Sequence, residues 1–411
     1  MDASGASRRH FDGPKVAYVL PDPGIPAGGT KGASVHVDAL CGAMAREGVS
    51  VTLYAAKVAG PLSATGSEGV TVVPVDVGPV RSGPDGDATR LEATRRFFDI
   101  AGAALDADRP DWVHERLSLF AGGGTAMAAD RDLPRVVEVN APVADERQAH
   151  FALHLATEAR QAECDALRGA RVVAVSRPMA TWALSKGASD ATVVPNGADT
   201  VGLTPERWVE ARRMVREELE FSDDLTVVGF VGSLKPWHGV ELLVEAVAAA
   251  SSQGELGLLI VGDGPQRDSV DAAVRTMPPS VRPALIGAVP SREVPRYLAA
   301  MDLAVAPYLP NDCFYFSPLK VVEAMAAGLP VVASDFPPVR ELLGSTGALV
   351  TAGDLAQLAD VIHRLAADPD GRSRMAVAGR ARAVQGRDWR AVARRTIAAG
   401  LEPDTVISES R

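Results

Sequence analysis

The stretch DLAVAPYLPNDCFYFSPLKVVEAMAAGLPVVAS, residues 302–334, decides how the rest of the chain is read. Two apolar runs, DLAVAP (302–307) and LPVVAS (329–334), flank a helical pattern over 318–327 and predict a strand–helix–strand unit. Ser317-Pro318 reads as the helix start, with Ser at the N-cap and Pro at the first helical position. The N–H groups of Leu319 and Lys320 then project from the helix end with the positive macrodipole behind them, and the Lys320 side chain adds a full charge. Glu323 follows Leu319 by four residues, one turn up on the same face. A carboxylate there cannot hold phosphate, but it can accept hydrogen bonds from a sugar diol beside one. Phosphate at the helix tip and ribose one turn along is a nucleotide-sugar geometry. A plain buried strand–helix unit with a solvated Glu323 fits the spacing equally well.

The same alternation extends in both directions. VAYVL (16–20), VSVTLY (49–54), VTVVPVDV (70–77), PDWVHE (110–115), PRVVEV (134–139), RVVAVS (171–176) and ATVVP (191–195) form a first series, with a helical pattern over 34–47. After the polar stretch 195–206 the pattern restarts with LTVVGFVG (225–232), ELGLLIVG (255–262), RPALIG (282–287), DLAVAP, LPVVAS and ALVT (348–351). Helical patterns over 239–250, 265–276, 291–300, 318–327 and 354–367 separate these runs. Apolar strands alternating with helices imply parallel sheets covered on both faces, and right-handed crossovers make them doubly wound. The chain is therefore expected to form two Rossmann-like α/β domains, 1–203 and 204–387. A helix and tail over 388–411 is expected to cover either one. Ligands of such sheets bind beyond the carboxyl ends of the strands, so the interdomain cleft is the expected site.

Composition narrows the function. The 411 residues are 47% hydrophobic and 23% charged, values of a globular protein rather than a disordered or fibrous one. The net charge of −10 is spread over both halves, which argues against duplex nucleic acid and anionic membrane surfaces as partners. No run approaches a membrane span, and the amino-terminal residues lack the order of a signal peptide. Cys41, Cys164 and Cys313 are too few and too scattered for a disulfide framework or a zinc site. A soluble cytoplasmic protein is expected. Only six residues are Lys, and three of them (Lys31, Lys235, Lys320) fall in loops suited to phosphate.

Further loops join the pattern. In VGFVGSLKPWHGVELLVEAV (227–246) a strand ends at Gly232 and a short loop opens a helix, which can bring N–H groups and Lys235 to a diphosphate. PDPGIPAGGTKGASVHV (21–37) places glycines 24, 28, 29 and 32 between a strand and a helix. VVEVNAPVADERQ (136–148) follows a strand end. Asn140 there is a neutral donor and acceptor suited to a hydroxyl, and Asp145 and Glu146 are candidate contacts to a cationic acceptor. His114, Glu115 and Arg116 end another strand and are candidate walls of the acceptor pocket. Gly262-Asp263-Gly264 turns a strand into a helix and reads as structural.

Segment 302–334 resembles the signature region of retaining GT-B glycosyltransferases of family 4, which carry two Glu separated by seven residues. The resemblance is strong over 225–350 and looser over 15–200. Glu323 is the second Glu. The first position is Tyr315, so Asp312 or Tyr315 is expected to take over the contact to the donor sugar. The resemblance implies that the loop at Ser233, Lys235 and His238 neutralises the leaving diphosphate, with Lys235 the main charge and His238 secondary. It also implies that Gly28 and Gly29 approach the diphosphate, that Lys31 contacts phosphate or acceptor, and that Asn140 meets the donor sugar's 6-hydroxyl. Ala288 and Val289 are implied at the nucleotide base. The implied activity transfers a sugar from a nucleoside-diphosphate donor, expected to be a UDP-sugar, with retention and without a metal or other cofactor. The even acidity and the Arg-rich, Ala-rich composition favour a soluble small-molecule acceptor, such as an aminocyclitol or antibiotic precursor, over a membrane lipid.

Rival readings are weaker. A nicotinamide dehydrogenase would carry G-x-G-x-x-G between first strand and helix, and this chain has none there. The Asp-x-Asp triplets at 85/87, 106/108 and 130/132 follow no convincing strand, which argues against a metal-dependent GT-A transferase. A nucleotide-sugar epimerase on the same two-domain fold, and a non-catalytic sugar-nucleotide-binding protein, stay open.

Overall fold

The computed structural model describes residues 13–62, 69–81, 83, 85–200, 205–310, 314, 315 and 317–401. The first sheet contains β1 (Lys15–Leu20), β2 (Ser50–Ala55), β3 (Val70–Pro74), β4 (Trp112–Arg116), β5 (Arg135–Val139), β6 (Arg171–Ala174) and β7 (Asp190–Val193). The second contains β8 (Thr226–Val231), β9 (Leu256–Val261), β10 (Val281–Gly287), β11 (Leu303–Ala306), β12 (Val331–Ser334) and β13 (Ala348–Val350). All pairings are parallel. Their orders are β3-β2-β1-β4-β5-β6-β7 and β10-β9-β8-β11-β12-β13. Both are doubly wound, with switch points between β1 and β4 and between β8 and β11.

Every predicted strand is present; the inner strands are buried on both faces, as in β9, all six residues of which are buried, while the edge strands β3, β7 and β10 are partly exposed. The two longest helices, Gly86–Asp108 and Pro369–Gly386, were not distinguished by the sequence, and the apolar residues of Pro369–Gly386 form no continuous stripe. The latter is anchored by Asp368, which caps Gly371 N–H at 2.7 Å, and by the Arg382 guanidinium on Leu342 O at 2.7 Å. The predicted boundary at 203/204 and Asp312 lie outside the described residues. Helix Pro205–Glu218 belongs to the second half. Its buried Arg216 donates to Ser222 O (2.6 Å), Leu225 O (2.5 Å), Ala300 O (3.0 Å) and Asp302 (3.1 Å).

The chain then returns to its first half. Helix Trp389–Leu401 packs on helix Gly32–Arg46, and Trp389, Val392 and Ala393 share a core with Val16, Leu40 and Trp112. Arg390 and Arg394 both reach Glu47, at 2.6 and 2.7 Å. At the return, Ala198 N–H donates to Arg387 O (2.8 Å) and the Thr200 hydroxyl to Asp388 (2.6 Å), so the two crossings between the halves run side by side.

Candidate active site

The carboxyl ends of β8, β9 and β11 build one wall. After β8, the loop from Gly232 folds back on the loop after β9: Gly262, at φ 142°, lies so close that a Cβ would stand 1.9 Å from Gly232 O. Only glycine allows that approach. The Lys235 ammonium lies 4.7 Å from the centre of the Trp237 ring. Lys235 is an exposed residue, yet the neighbouring chain partly desolvates it and lowers its pKa; Glu146 from the other half opposes this and Lys31 adds to it.

His238 is not a cation here. Burial, reinforced by Lys320, pushes it down to about 2, and the neutral ring donates from Nδ1 to Ser233 O at 2.5 Å. It therefore shapes the loop and presents Nε2 as an acceptor, which corrects the expected secondary charge.

Lys320 sits beneath this loop. Its Nζ is buried and has no hydrogen-bond partner among the described residues, 4.1 Å from the Phe230 ring centre and 5.4 Å from that of Tyr308. Burial lowers it to about 7, with Glu323 raising and Lys235 lowering it further. Glu323 is pushed up to about 6 by burial and drawn back by Lys320. The aromatic wall continues through Tyr308, Phe314 and Phe336, with centroid separations of 5.0 and 4.2 Å. Tyr308, Phe314 and Phe336 come from in and just beyond the 302–334 stretch, but their irregular spacing did not mark them as one wall.

The helix bearing Lys320 and Glu323 spans Leu319–Ala326, and its N-cap is Pro318, one residue later than expected. Among the described residues no side chain caps it. The Ser317 hydroxyl accepts instead from Asn196 N–H (3.0 Å), and Ser317 O accepts from Asn196 Nδ2 (2.5 Å). Tyr315 departs from expectation too. Its ring is 7% exposed and belongs to the apolar cluster of the first half with Leu117, Val139 and Val175, while its carbonyl accepts from Ser176 Oγ at 2.7 Å. It anchors the two halves instead of lining the sugar site. Ala288 and Val289 follow β10 at the edge of the same strand ends.

The facing wall comes from the first half. Gly28 (φ 70°) is required because Gly60 O would stand 2.2 Å from a Cβ. Its N–H donates to Asp38 (3.3 Å) and that of Gly29 to Pro26 O (3.2 Å). The Gly28 amide is thus held by a helix carboxylate and the Gly29 amide within the loop, so neither N–H is turned to a diphosphate as assigned. The next glycine, Gly32, opens the Gly32–Arg46 helix and faces Leu319 across the cleft. Lys31 is exposed and donates to Gly24 O at 3.1 Å.

Glu115 is corrected as well. Strand alternation turns it to the far side of the sheet, fully buried, where it accepts from Arg135 at 2.7 Å. Asp145 pairs with Arg160 at 3.3 Å on the outer surface, leaving Glu146 as the acidic residue toward Lys235. Asn140 donates to Glu138 through Nδ2.

Glu138, 1% exposed, is the unforeseen hub. It accepts from the Tyr18 hydroxyl (2.7 Å), His114 Nε2 (3.2 Å) and Arg116, and faces His36 Nε2 at 2.9 Å. Burial alone would raise its carboxyl, but His36, Arg116 and these hydrogen bonds hold it well below the ordinary range. His114 and Arg116 therefore serve this hub and do not form an acceptor wall.

Among the described residues no helix is long and apolar enough to cross a membrane. Residues 30–201 match the family described as Glycosyltransferase Family 4, and residues 226–368 the one described as Glycosyl transferases group 1. The D-inositol 3-phosphate glycosyltransferase of Corynebacterium efficiens is 30% identical over 87% of this chain and 86% of its own length. Shorter matches join the 2-deoxystreptamine glucosyltransferase of Streptomyces kanamyceticus, 34% identical over 35% of this chain and 37% of that enzyme. The GDP-mannose-dependent alpha-mannosyltransferase of Mycobacterium tuberculosis is 34% identical over 46% of each chain. The chain thus spans under half the length of these two. Anabaena HepE, solved in complex with UDP-glucose, superimposes with a TM-score of 0.70 at 21% identity, over 93% of this chain and 98% of that one. Two doubly wound sheets, a cleft walled by their strand ends, and these likenesses along nearly the whole chain make it a member of glycosyltransferase family 4, with the GT-B fold.

Proposed function

We propose that the protein transfers a glycosyl unit from a UDP-sugar to a hydroxyl of a soluble cyclitol-type acceptor, in the cytoplasm, with retention of anomeric configuration and without a metal. The buried, unpartnered Lys320 ammonium beside an uncapped helix start carries the reading. With Lys235 it forms a pair of cations where a departing diphosphate needs them, and fixed charges in a crowded site stabilise developing anions strongly. Activity should persist in EDTA; its loss, with restoration by Mn²⁺, would overturn the metal-free reading.

The acceptor class is supported by two relatives whose names contain polyhydroxylated six-membered carbocycles, 2-deoxystreptamine and D-inositol 3-phosphate. Glu146, opposite Lys235, suits a cationic or hydroxylated ring. The GDP-mannose-dependent relative makes GDP-mannose the rival donor. Turnover assays with UDP-glucose, UDP-N-acetylglucosamine and GDP-mannose, each with 2-deoxystreptamine or inositol 3-phosphate, decide between them.

Family membership supports retention, and the positions of the buried carboxylates favour a front-face route to it over a double displacement. A double displacement needs a free carboxylate beneath the anomeric carbon, but Glu138 and Glu115 are held by buried partners. In the proposed step the acceptor oxygen bonds to the anomeric carbon on the face that the diphosphate leaves, and the acceptor proton passes to the departing phosphate oxygen. The anomeric coupling constant of the product by NMR tests it. A β-glycoside from an α-donor would sink the mechanism.

Glu323 is assigned to the donor ribose, one turn beyond the helix start. Glu323→Ala is expected to weaken nucleoside diphosphate and nucleoside binding alike by ~1–3 kcal/mol in calorimetry, the scale for removing a polar partner. Unchanged affinity would remove Glu323 from the site.

A further inference from the structure

We infer that Asn196 is a positioning residue, held by His36 and Glu138, that keeps the Leu319–Ala326 helix start uncapped and fixed for the donor's phosphates. The inference rests on the donor-site reading above and adds to it three residues with no role there.

A serine just before a helix ordinarily turns its hydroxyl onto the helix N–H groups and satisfies them. Ser317 is prevented from doing so. Asn196 engages both its hydroxyl, through the backbone N–H at 3.0 Å, and its carbonyl, through Nδ2 at 2.5 Å. The first intrahelical bonds run from Val321 and Val322 N–H to Pro318 O, so the N–H groups of Leu319 and Lys320 precede them. Those are the groups an anion at a helix end would meet.

The orientation of the Asn196 amide is set from behind. His36 Nδ1 donates to Asn196 Oδ1 at 2.7 Å, which turns Nδ2 toward Ser317. His36 Nε2 in turn faces Glu138 Oε1 at 2.9 Å. Asn196, His36 and Glu138 are 8%, 4% and 1% exposed, so water does not compete for any link. Glu138 also receives Asn140, which follows β5. One buried carboxylate in the first half thus fixes both Asn140 and, through two side chains, the helix start in the second half.

The test compares a nucleoside diphosphate with its nucleoside. Binding of UDP, GDP, uridine and guanosine is measured by calorimetry for the full chain and for Asn196→Ala and Asn196→Asp. The first variant removes all side-chain links and the second keeps the shape and an acceptor for His36 but withdraws the donor to Ser317 O; both keep the backbone N–H on the Ser317 hydroxyl, so they test the fixing of the helix start by the side chain. Both are expected to bind the preferred diphosphate about tenfold more weakly, with nucleoside affinity changed by less than about twofold. That signature differs from Glu323→Ala, where the nucleoside loses affinity as well. Equal weakening of diphosphate and nucleoside would mean general damage to the site and overturn the inference. Unchanged diphosphate affinity in either folded variant overturns it too. An unmodified chain that binds neither diphosphate removes the donor-site reading itself.

Discussion

Lys320→Met is expected to lower kcat by roughly 10²–10³-fold, the scale for removing one preorganised charge from a transition state, without lowering the melting temperature. The two effects separate because the ammonium is a structural burden. It is buried against Phe230 and Tyr308 with no hydrogen-bond partner among the described residues, and burial has already drawn its pKa to about 7. An apolar side chain of similar length fills the same space without desolvating a charge. The same shift predicts a pH profile. In the free enzyme Lys320 loses its proton above about pH 7, so kcat/KM should fall on the alkaline side. A bound diphosphate favours the charged form, so the alkaline limb of kcat should lie at higher pH. A kcat/KM profile flat to pH 9, or a melting temperature that drops with activity, would show that Lys320 holds the fold and does not carry the charge.

Glu138→Gln is expected to cost ~3–5 kcal/mol of stability, the range for leaving buried charges without their partner. Arg116, His36 and His114 converge on this carboxylate and have little water to replace it. Because the folded-state pKa is depressed, the ionised carboxylate contributes fully above the ordinary glutamate value of 4.5. That contribution is lost as pH falls below 4.5 toward the depressed value. The gap in denaturation midpoint between the unmodified chain and the variant should therefore be widest near neutral pH and narrow in acid. A constant gap across pH would assign the loss to packing rather than charge.

The sheets were legible because each strand announces itself locally, as in LGLLIV or VVAS, and burial on both faces leaves the run no alternative. Lys235, Lys320 and Glu323 were legible for a related reason: loop, helix start and one helical turn are all short-range features. The hub was not. Tyr18, His36 and His114 lie 120, 102 and 24 residues from Glu138, and no periodicity connects them. His36 alone reads as an ordinary packed histidine, and Asn196 as part of a linker. Tyr315 misled for the opposite reason. Its place in the motif suggested a sugar contact, whereas a phenol ring gains more by entering the apolar cluster around Leu117 than by standing in water.

The paired crossings at Ala198 and Asp388 have a mechanical meaning. A body joined to another by one strand can swivel in any direction. Here the second half leaves and re-enters the first at one place, through two segments bonded to each other by Ala198 N–H and the Thr200 hydroxyl. It is mounted like a door on a two-pin hinge: bending about that line is easy, while twisting would break the bonds between the pins. The Asn196 contact to Ser317 lies two residues from that axis in the chain, where a small rotation moves atoms least. A rotation about that line would carry the far edge of the cleft, where Lys235 faces Glu146, through the larger arc.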